Sequence, residues 1–142
     1  MSIEVKAQNM VKKFSHITDW EQKYEKLIEL GKAWPGLPEE FKTEDLKVKG
    51  CQSQVWIKAE LKDGKAFFQG DSDAIIVKGL VALVLSVYSN NTPEEIMKYD
   101  SGFLKEIGLD SGLSPSRTNG LYSMIKQIKY YATAFSYLLS KK

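Results

Sequence analysis

The most constraining feature of the chain is an apolar run at positions 74–88, AIIVKGLVALVLSVY, which is interrupted chiefly by Lys78 and Ser86. Apolar side chains nearly encircle a helix of this sequence, and a helix that is hydrophobic on all sides is typical of a buried position. With these interruptions the run is too short to span a bilayer. It therefore predicts a central core helix that the other elements of the fold must cover.

Helical patterns occur on both sides of this run. Residues 3–14 place apolar side chains at helical spacing, and a second helix is predicted after Asp19, a good N-cap, ending before Pro35. The segment TPEEI, which begins at Thr92, has the pattern of a capping box. A long C-terminal helix is predicted from about Ser116. Its apolar face comprises Leu121, Met124, Ile125, Ile128, Ala132, Phe135, Leu138 and Leu139.

Strand character is confined to the segment before the core helix. Apolar residues alternate over residues 55–61, and the Asp-Gly pair of KDGK favours a type I′ turn before AFFQ returns. The short segment LKV, residues 46–48, is a candidate third strand, which would leave Gly50 and Cys51 in the connection. No repeat or domain linker is apparent, so residues 1–142 are expected to form one domain.

Composition is typical of a soluble globular protein, with 43% hydrophobic and 27% charged residues and a net charge of +2. The positive excess lies in the last 42 residues, where six lysines or arginines face two acids, and a solvated helix face explains it better than a nucleic-acid site. The N-terminal residues lack the apolar core of a signal peptide and the Arg/Ser-rich character of a transit peptide. We therefore expect a cytoplasmic protein with neither nucleic acid nor membrane as its partner.

Cys51 is the only cysteine, so it has no internal disulfide partner. One cysteine also cannot supply the three or four ligands of a cysteine-based metal site. Free cysteines are often buried as small hydrophobes, which is one interpretation of this residue. The other is a reactive thiol at a loop tip, because Gly50 permits an unusual backbone and periodic apolar residues begin only at Val55. The residues between are all polar: Gln52, Ser53 and Gln54.

The chemistry open to such a thiol is limited by its neighbours. Lys47, Lys49 and Arg117 are cations that could favour the thiolate if they lie close to it. A cysteine hydrolase also needs a base, and the single histidine, His16, lies in a polar junction typical of the surface. Thiol exchange needs no such base, and a lone cysteine has no resolving thiol that would discharge a persulfide. Sulfur transfer is therefore the favoured chemistry.

Two other segments have both a structural and a functional interpretation. Asp71, Ser72 and Asp73 follow the second predicted strand and are placed to cap the core helix. Arg117 is the single arginine among twenty basic residues, which is either accidental or a sign of bidentate contact with a carboxylate.

The segments GCQSQVW, GDSDAIIVKGL, LSPSRTNGL and DWEQKYEKLIELGK, the last followed by Leu37-Pro38, together resemble the SufE/CsdE family of sulfur-acceptor proteins. The resemblance extends from about Met10 to Leu138. It implies an α+β fold, a small antiparallel sheet packed by helices, similar to the U-type iron–sulfur scaffold proteins.

The same resemblance implies that Cys51 takes persulfide sulfur from a cysteine desulfurase of the SufS or CsdA type, stimulates it, and passes the sulfur to a scaffold such as a SufB-containing complex. The chain would be a stoichiometric carrier rather than an enzyme. Pyridoxal phosphate is expected on the desulfurase only, and no cofactor or metal on this chain. Gly50 and residues 52–54 would support the cysteine loop, while residues 71–73 and Arg117 would lie beside it and contact the desulfurase.

Two rival functions belong to other classes. A scaffold that assembles a cluster directly fails on the number of ligands, since one cysteine is present. A helical interaction module with an inert Cys51 stays open, and slow alkylation of the native thiol would indicate it.

Overall fold

The computed structural model describes residues 2–141, with the side chain of residue 110 left aside. Two helices precede a β-hairpin, and a central helix and a helical C-terminal part follow it. The helices are α1 (Ile3–Phe14), α2 (Trp20–Ala33), α3 (Ile75–Tyr88), α4 (Pro93–Lys98), α5 (Phe103–Ile107), α6 (Leu109–Gly112) and α7 (Pro115–Ser140), and the strands are β1 (Val55–Lys62) and β2 (Lys65–Ser72). The fold is α+β with a two-stranded antiparallel sheet, as predicted.

The hairpin is in register over its whole length, from Val55 opposite Ser72 to Lys62 opposite Lys65. Its turn has positive φ at both central residues, 53° at Asp63 and 76° at Gly64. Positive φ at both positions is what a type I′ turn requires, and this turn matches the twist of the strands. The predicted hairpin and its turn are confirmed.

Helix α3 forms the centre of the core, and ten of its fourteen residues are buried. Helix α2 crosses it at a point where both helices carry glycine: a Cβ on Gly79 would collide with the carbonyl oxygen of Leu27, and one on Gly31 would lie 3.0 Å from the Gly79 nitrogen. The sheet packs on another side of α3, and α1 and α7 contact it as well. The prediction of a central core helix is confirmed.

The predicted helix starts agree with the structure. Asp19 caps α2 by accepting a hydrogen bond from the Gln22 amide at 2.8 Å, and Thr92 and Glu95 form the predicted capping box at the start of α4. Helix α7 begins one residue before the predicted position, with Ser114 as its N-cap. Its apolar face is buried as far as Ala132, but Leu138 is 52% exposed, because the last turns of this 26-residue helix extend beyond the core.

The candidate strand at residues 46–48 is wrong in most of its length. Residues Glu44–Leu46 form a 3₁₀ turn, and only an isolated bridge joins Lys47 to Trp56, supported by a 2.8 Å bond from the Val48 amide to the Val55 carbonyl. The 3₁₀ turn uses the backbone of Leu46 locally, so a ladder cannot form there. Gly50 and Cys51 do lie in the connection to β1.

No helix within residues 2–141 combines the length and the hydrophobicity that crossing a membrane requires.

Candidate functional site

Cys51 lies in the loop that connects the Lys47 bridge to β1, and its side chain is half-buried. Its Sγ lies 3.6 Å from the carbonyl oxygen of Gly120, to which the thiol donates a weak hydrogen bond. Gly120 is a buried residue of α7, sixty-nine positions further along the chain. The loop tip therefore rests against the first turns of α7.

Two glycines permit this close contact between the loop and α7. Gly50 has a φ of +93°, a conformation that residues with a side chain rarely adopt, and a Cβ there would lie 2.6 Å from the Ser123 hydroxyl. At position 120 a Cβ would lie 3.3 Å from the Cys51 sulfur. The backbone conformation of Gly50 thus favours glycine, and a side chain at position 120 would require the Cys51 sulfur to shift by a few tenths of an ångström.

A cavity of about 320 Å³ opens beside the thiol. Its apolar part comes from α3 and α7, and its polar part from the cysteine loop and the start of α7. Besides Cys51 it is lined by Gln52, Ser53, Val77, Leu80, Ser114, Ser116, Arg117, Gly120 and Met124. The predicted residues Cys51, Gln52, Ser53 and Arg117 are thereby brought together.

Burial raises the pKa of the Cys51 thiol above its ordinary value. The expectation that nearby cations would favour the thiolate is therefore wrong for this arrangement. Lys47 and Lys49 line a separate depression that Gly50 also lines, so of the three candidate cations only Arg117 lines the cavity of the thiol. Burial therefore disfavours the thiolate in the resting loop, and a less buried position would favour it.

Asp73 forms hydrogen bonds with Gln54 at the C-terminal end of the cysteine loop. Its carboxylate accepts hydrogen bonds from the backbone amide of Gln54 at 3.1 Å and from the Gln54 side-chain amide at 3.3 Å. The Asp73 amide in turn donates to the Gln54 carbonyl at 3.3 Å. Since Gln54 is only three residues from Cys51, this reciprocal pairing restrains the loop at the point where β1 begins.

The predicted helix cap at residues 71–73 is wrong. Strand pairing extends through Ser72, and Ala74 is the N-cap of α3, with no side-chain hydrogen bond of the capping type. The Ser72 hydroxyl accepts from the Ala74 amide at 3.2 Å, a local turn contact before the helix. The two carboxylates are unavailable for capping because other donors hold them, Gln54 in the case of Asp73.

Asp71 is buried at 7% exposure, and its carboxylate accepts from the amides of Leu37 at 3.1 Å and Ser72 at 2.9 Å. The ammonium groups of Lys42 and Lys78 lie 3.4 and 3.7 Å from it. Burial alone raises the pKa of Asp71, but the two amides and the two lysines outweigh it, and the net pKa lies below the ordinary value. Asp71 thus ties the segment after α2 to the end of β2.

Arg117 is in the first turn of α7, where its backbone amide donates to the Ser114 hydroxyl at 3.4 Å. Its guanidinium carbon lies 5.7 Å from the centre of the Tyr24 ring, a cation–π contact with α2. The ion pairs found within residues 2–141 involve lysines, and Arg117 is in none of them. Arg117 also lines the cavity beside Cys51, and no carboxylate within residues 2–141 forms an ion pair with it.

Sequence reasoning missed Gly120 and the apolar part of the cavity. A glycine inside a predicted helix costs about 1 kcal/mol relative to alanine, so its presence in the segment TNGL is a signal of close packing. Met124 lies one turn further along the same face of α7, and Val77 and Leu80 were assigned to the core without a link to the thiol. His16 is exposed, as predicted.

Comparison with known proteins supports a family assignment. Residues 8–132 match the family model described as SufE, Fe-S metabolism associated domain. The chain is 44% identical over 126 residues to an uncharacterized SufE-like protein of Synechocystis, covering 89% of this chain and 79% of that protein. It is 46% identical over 121 residues to an uncharacterized SufE-like protein of Rhizobium etli, covering 82% of each.

A solved structure has the same fold. The solution structure of a hypothetical protein from Thermus thermophilus superposes with a TM-score of 0.74, covering 92% of this chain and 95% of that chain. Sequence identity is 21%, so this likeness concerns the fold alone.

Proposed function

The chain belongs to the SufE family of domains associated with Fe–S metabolism, and we propose that it is a sulfur acceptor that takes persulfide sulfur onto Cys51 from a cysteine desulfurase. It would stimulate the desulfurase and pass the sulfur on for iron–sulfur cluster assembly. The observation that carries this proposal is a lone thiol at a loop tip, half-buried over an open cavity. The whole chain, residues 1–142, would act as one domain in the cytoplasm.

The proposed transfer is a thiol exchange with no net oxidation or reduction. The Cys51 thiolate attacks the outer sulfur of the partner's persulfide, an S–S bond forms to Cys51, and the partner's thiolate leaves. The chain therefore needs no oxidant and no cofactor of its own, and pyridoxal phosphate would be held by a desulfurase of the SufS or CsdA type. The chain would then be a stoichiometric carrier and an activator of its partner rather than an enzyme.

Transfer requires the cysteine loop to leave its resting position. Burial raises the pKa of the thiol in that position, and its sulfur contacts the Gly120 carbonyl. Docking of the desulfurase would release the loop from α7 and expose the thiolate. Asp71, Ser72 and Asp73 lie beside this loop, and we propose that this segment sets how readily the loop is released.

Arg117 is proposed to contact the desulfurase directly. A planar guanidinium binds a carboxylate through two parallel hydrogen bonds, which a lysine cannot reproduce. Within residues 2–141 Arg117 has a cation–π contact with Tyr24 but no ion pair, so no carboxylate in this part of the chain competes for its guanidinium, which supports this role. The downstream acceptor would be a scaffold such as a SufB-containing complex.

Mass spectrometry of the intact chain tests the acceptor role. After incubation with a cysteine desulfurase and cysteine, the chain is expected to gain one sulfur, about 32 Da, which dithiothreitol removes. Cys51→Ala is the control, and an adduct that persists in this variant would contradict the proposal. An unmodified wild-type chain, together with slow alkylation of native Cys51, would instead support an interaction module with an inert cysteine.

A further inference from the structure

We propose that the cavity beside Cys51 binds a small thiol that carries a carboxylate, with the carboxylate on Arg117 and the sulfur facing Cys51. Resting on the proposed function, this thiol would be a direct acceptor of the persulfide sulfur. A small-molecule acceptor would let the chain discharge sulfur without a protein partner.

The shape of the cavity suits a ligand of a few heavy atoms. Its volume is about 320 Å³, at the lower end of the range for small-molecule sites. Val77, Leu80 and Met124 supply an apolar wall, and Ser114, Ser116 and Arg117 supply polar groups at the start of α7. A short alkyl chain with one polar end matches this division.

The charge of the lining selects the polar end. Of the described residues that line the cavity, Arg117 is the only charged one, so these residues supply a cation and no carboxylate. The guanidinium carbon of Arg117 lies 5.7 Å from the centre of the Tyr24 ring, and within residues 2–141 no hydrogen bond or ion pair occupies its N–H donors. The Ser114 and Ser116 hydroxyls lie 3.4 Å apart and add donors nearby. A carboxylate is favoured here, and an ammonium group is not.

The reactive end is set by Cys51, which lines the same cavity. Once Cys51 carries a persulfide, the thiolate of the ligand attacks the outer sulfur, an S–S bond forms to the ligand, and the Cys51 thiolate leaves. The ligand departs as a persulfide, and no electrons are gained or lost overall. The Cys51 persulfide would thus react with the thiol end of the ligand, and Arg117 would bind its carboxylate end.

The neighbouring depression does not offer the same selectivity. It contains Lys47, Lys49 and Lys126, but Glu44 and Asp45 line it too, and Lys47 already pairs with Glu44 at 3.6 Å. Cys51 is absent from its lining. Lys126 is therefore a suitable control cation, exposed on the same helix as Arg117 but outside the cavity.

Alkylation of Cys51 by two matched reagents tests the carboxylate site without a desulfurase. Iodoacetate and iodoacetamide share a leaving group and size, and only iodoacetate carries a carboxylate. The ratio of their rates cancels the exposure and the thiolate fraction of Cys51. We expect this ratio to fall several-fold in Arg117→Ala, to fall less in Arg117→Lys, and to be unchanged in Lys126→Ala. The wild-type rate with iodoacetate should saturate and be inhibited competitively by propionate.

A linear dependence on iodoacetate concentration without inhibition by propionate would overturn the site, and this measurement needs no variant that might unfold. Equal ratios in wild type and Arg117→Ala would overturn it as well. Neither result would affect the proposed transfer from a desulfurase.

The acceptor step is tested with chain already loaded with persulfide. At equal thiolate concentration, 3-mercaptopropionate should remove the sulfur several-fold faster than 2-mercaptoethanol, and Arg117→Ala should abolish the difference. Equal rates in the wild type would overturn the acceptor role. A chain that shows the alkylation preference but never loads sulfur would retain the carboxylate site and contradict the proposed function instead.

Discussion

The carbonyl oxygen of Gly120 accepts a hydrogen bond from the Cys51 thiol, with 3.6 Å between oxygen and sulfur, and this contact places the cysteine loop against α7. The Gly50 backbone lies against Ser123 one turn along the same helix. The loop is therefore seated on two adjacent points of one rigid element. Each point depends on the absence of a side chain, at Gly120 in the helix and at Gly50 in the loop.

Gly120→Ala is expected to displace the thiol from this seat. The new Cβ would lie 3.3 Å from the Cys51 sulfur, so the loop must shift by a few tenths of an ångström or more. We expect iodoacetamide to alkylate Cys51 several-fold faster in the variant. Stability should change by less than about 1.5 kcal/mol, because the higher helix propensity of alanine offsets part of the strain.

The matched control is Gly102→Ala, where the nearest atom to a new Cβ is 3.9 Å away. Its alkylation rate should equal that of the wild type. If Gly120→Ala also leaves the rate unchanged at unchanged stability, the contact with Gly120 does not hold the loop.

Asp73→Ala is expected to loosen the other end of the cysteine loop. The substitution removes two hydrogen bonds to Gln54, at 3.1 and 3.3 Å, from an exposed side chain. Stability should fall by about 1 kcal/mol, measured by urea unfolding, and alkylation of Cys51 should accelerate. Asp73 provides no side-chain cap for α3, so the stability loss should not reflect melting of that helix.

Comparison of Gln54→Ala with Asp73→Ala separates the contributions of the two hydrogen bonds that Asp73 accepts. Gln54→Ala removes only the side-chain bond and should accelerate alkylation less than Asp73→Ala does. Alkylation at the wild-type rate in Asp73→Ala would reject the restraint.

The elements of the fold were predictable from local signals. The apolar run of α3, the Asp63-Gly64 turn and the capping box at Thr92 each depend on residues close in sequence, and all three are confirmed. The cap at residues 71–73 failed because longer-range partners competed for the same groups. The Leu37 amide binds the Asp71 carboxylate across thirty-four positions, and no local pattern shows such a donor.

The candidate site was predictable in its loop and not in its surroundings. Cys51 could be singled out because it is the only thiol and lies among polar residues after Gly50. The cavity depends on how α3 and α7 approach the loop, which periodicity does not specify. Arg117 stands out as the single arginine, and the family resemblance places it beside the cysteine loop, but the cavity that both line is seen only in the fold.

Arg117→Ala is expected to affect the desulfurase far more than the fold. Within residues 2–141 its side chain contributes a cation–π contact with Tyr24 and no ion pair, so stability should fall by about 1 kcal/mol or less. Desulfurase stimulation, measured as release of alanine from cysteine, should weaken several-fold, and Arg117→Lys should lie between. Unfolding of Arg117→Ala, with normal stimulation by the folded fraction, would make Arg117 structural.

The pH dependence of Cys51 follows from the raised pKa of its thiol. The rate of alkylation should rise with pH through a midpoint above that of an unstructured cysteine peptide, about 8.5. Because the folded state holds this proton more tightly than the unfolded state, stability should decrease as the pH rises above the unfolded pKa. In Cys51→Ser, which has no thiol to ionise, stability should decrease less over the same rise in pH. A midpoint at or below that of the peptide would show that the thiol is already activated at rest.

Asp71→Asn is expected to weaken the fold, and to do so only where Asp71 is ionised. The carboxylate accepts two backbone amides and lies within 4 Å of two lysines, and asparagine can neither accept both bonds well nor neutralise the lysines. We expect a loss of about 2 kcal/mol at neutral pH, measured by urea unfolding.

The sign of its pH dependence follows from the lowered pKa of Asp71 in the folded state. The advantage of the wild type over Asp71→Asn should be fully present above the unfolded pKa of about 3.9 and should be lost as the pH falls through the lower folded pKa. Asp45→Asn, at an exposed carboxylate, is the control and should change stability by less than about 0.5 kcal/mol. A difference between wild type and Asp71→Asn that stays constant down to acidic pH would mean that the shape of the side chain matters and its charge does not. The ion pairs with Lys42 and Lys78 would then make no net contribution to the attachment of this segment to β2.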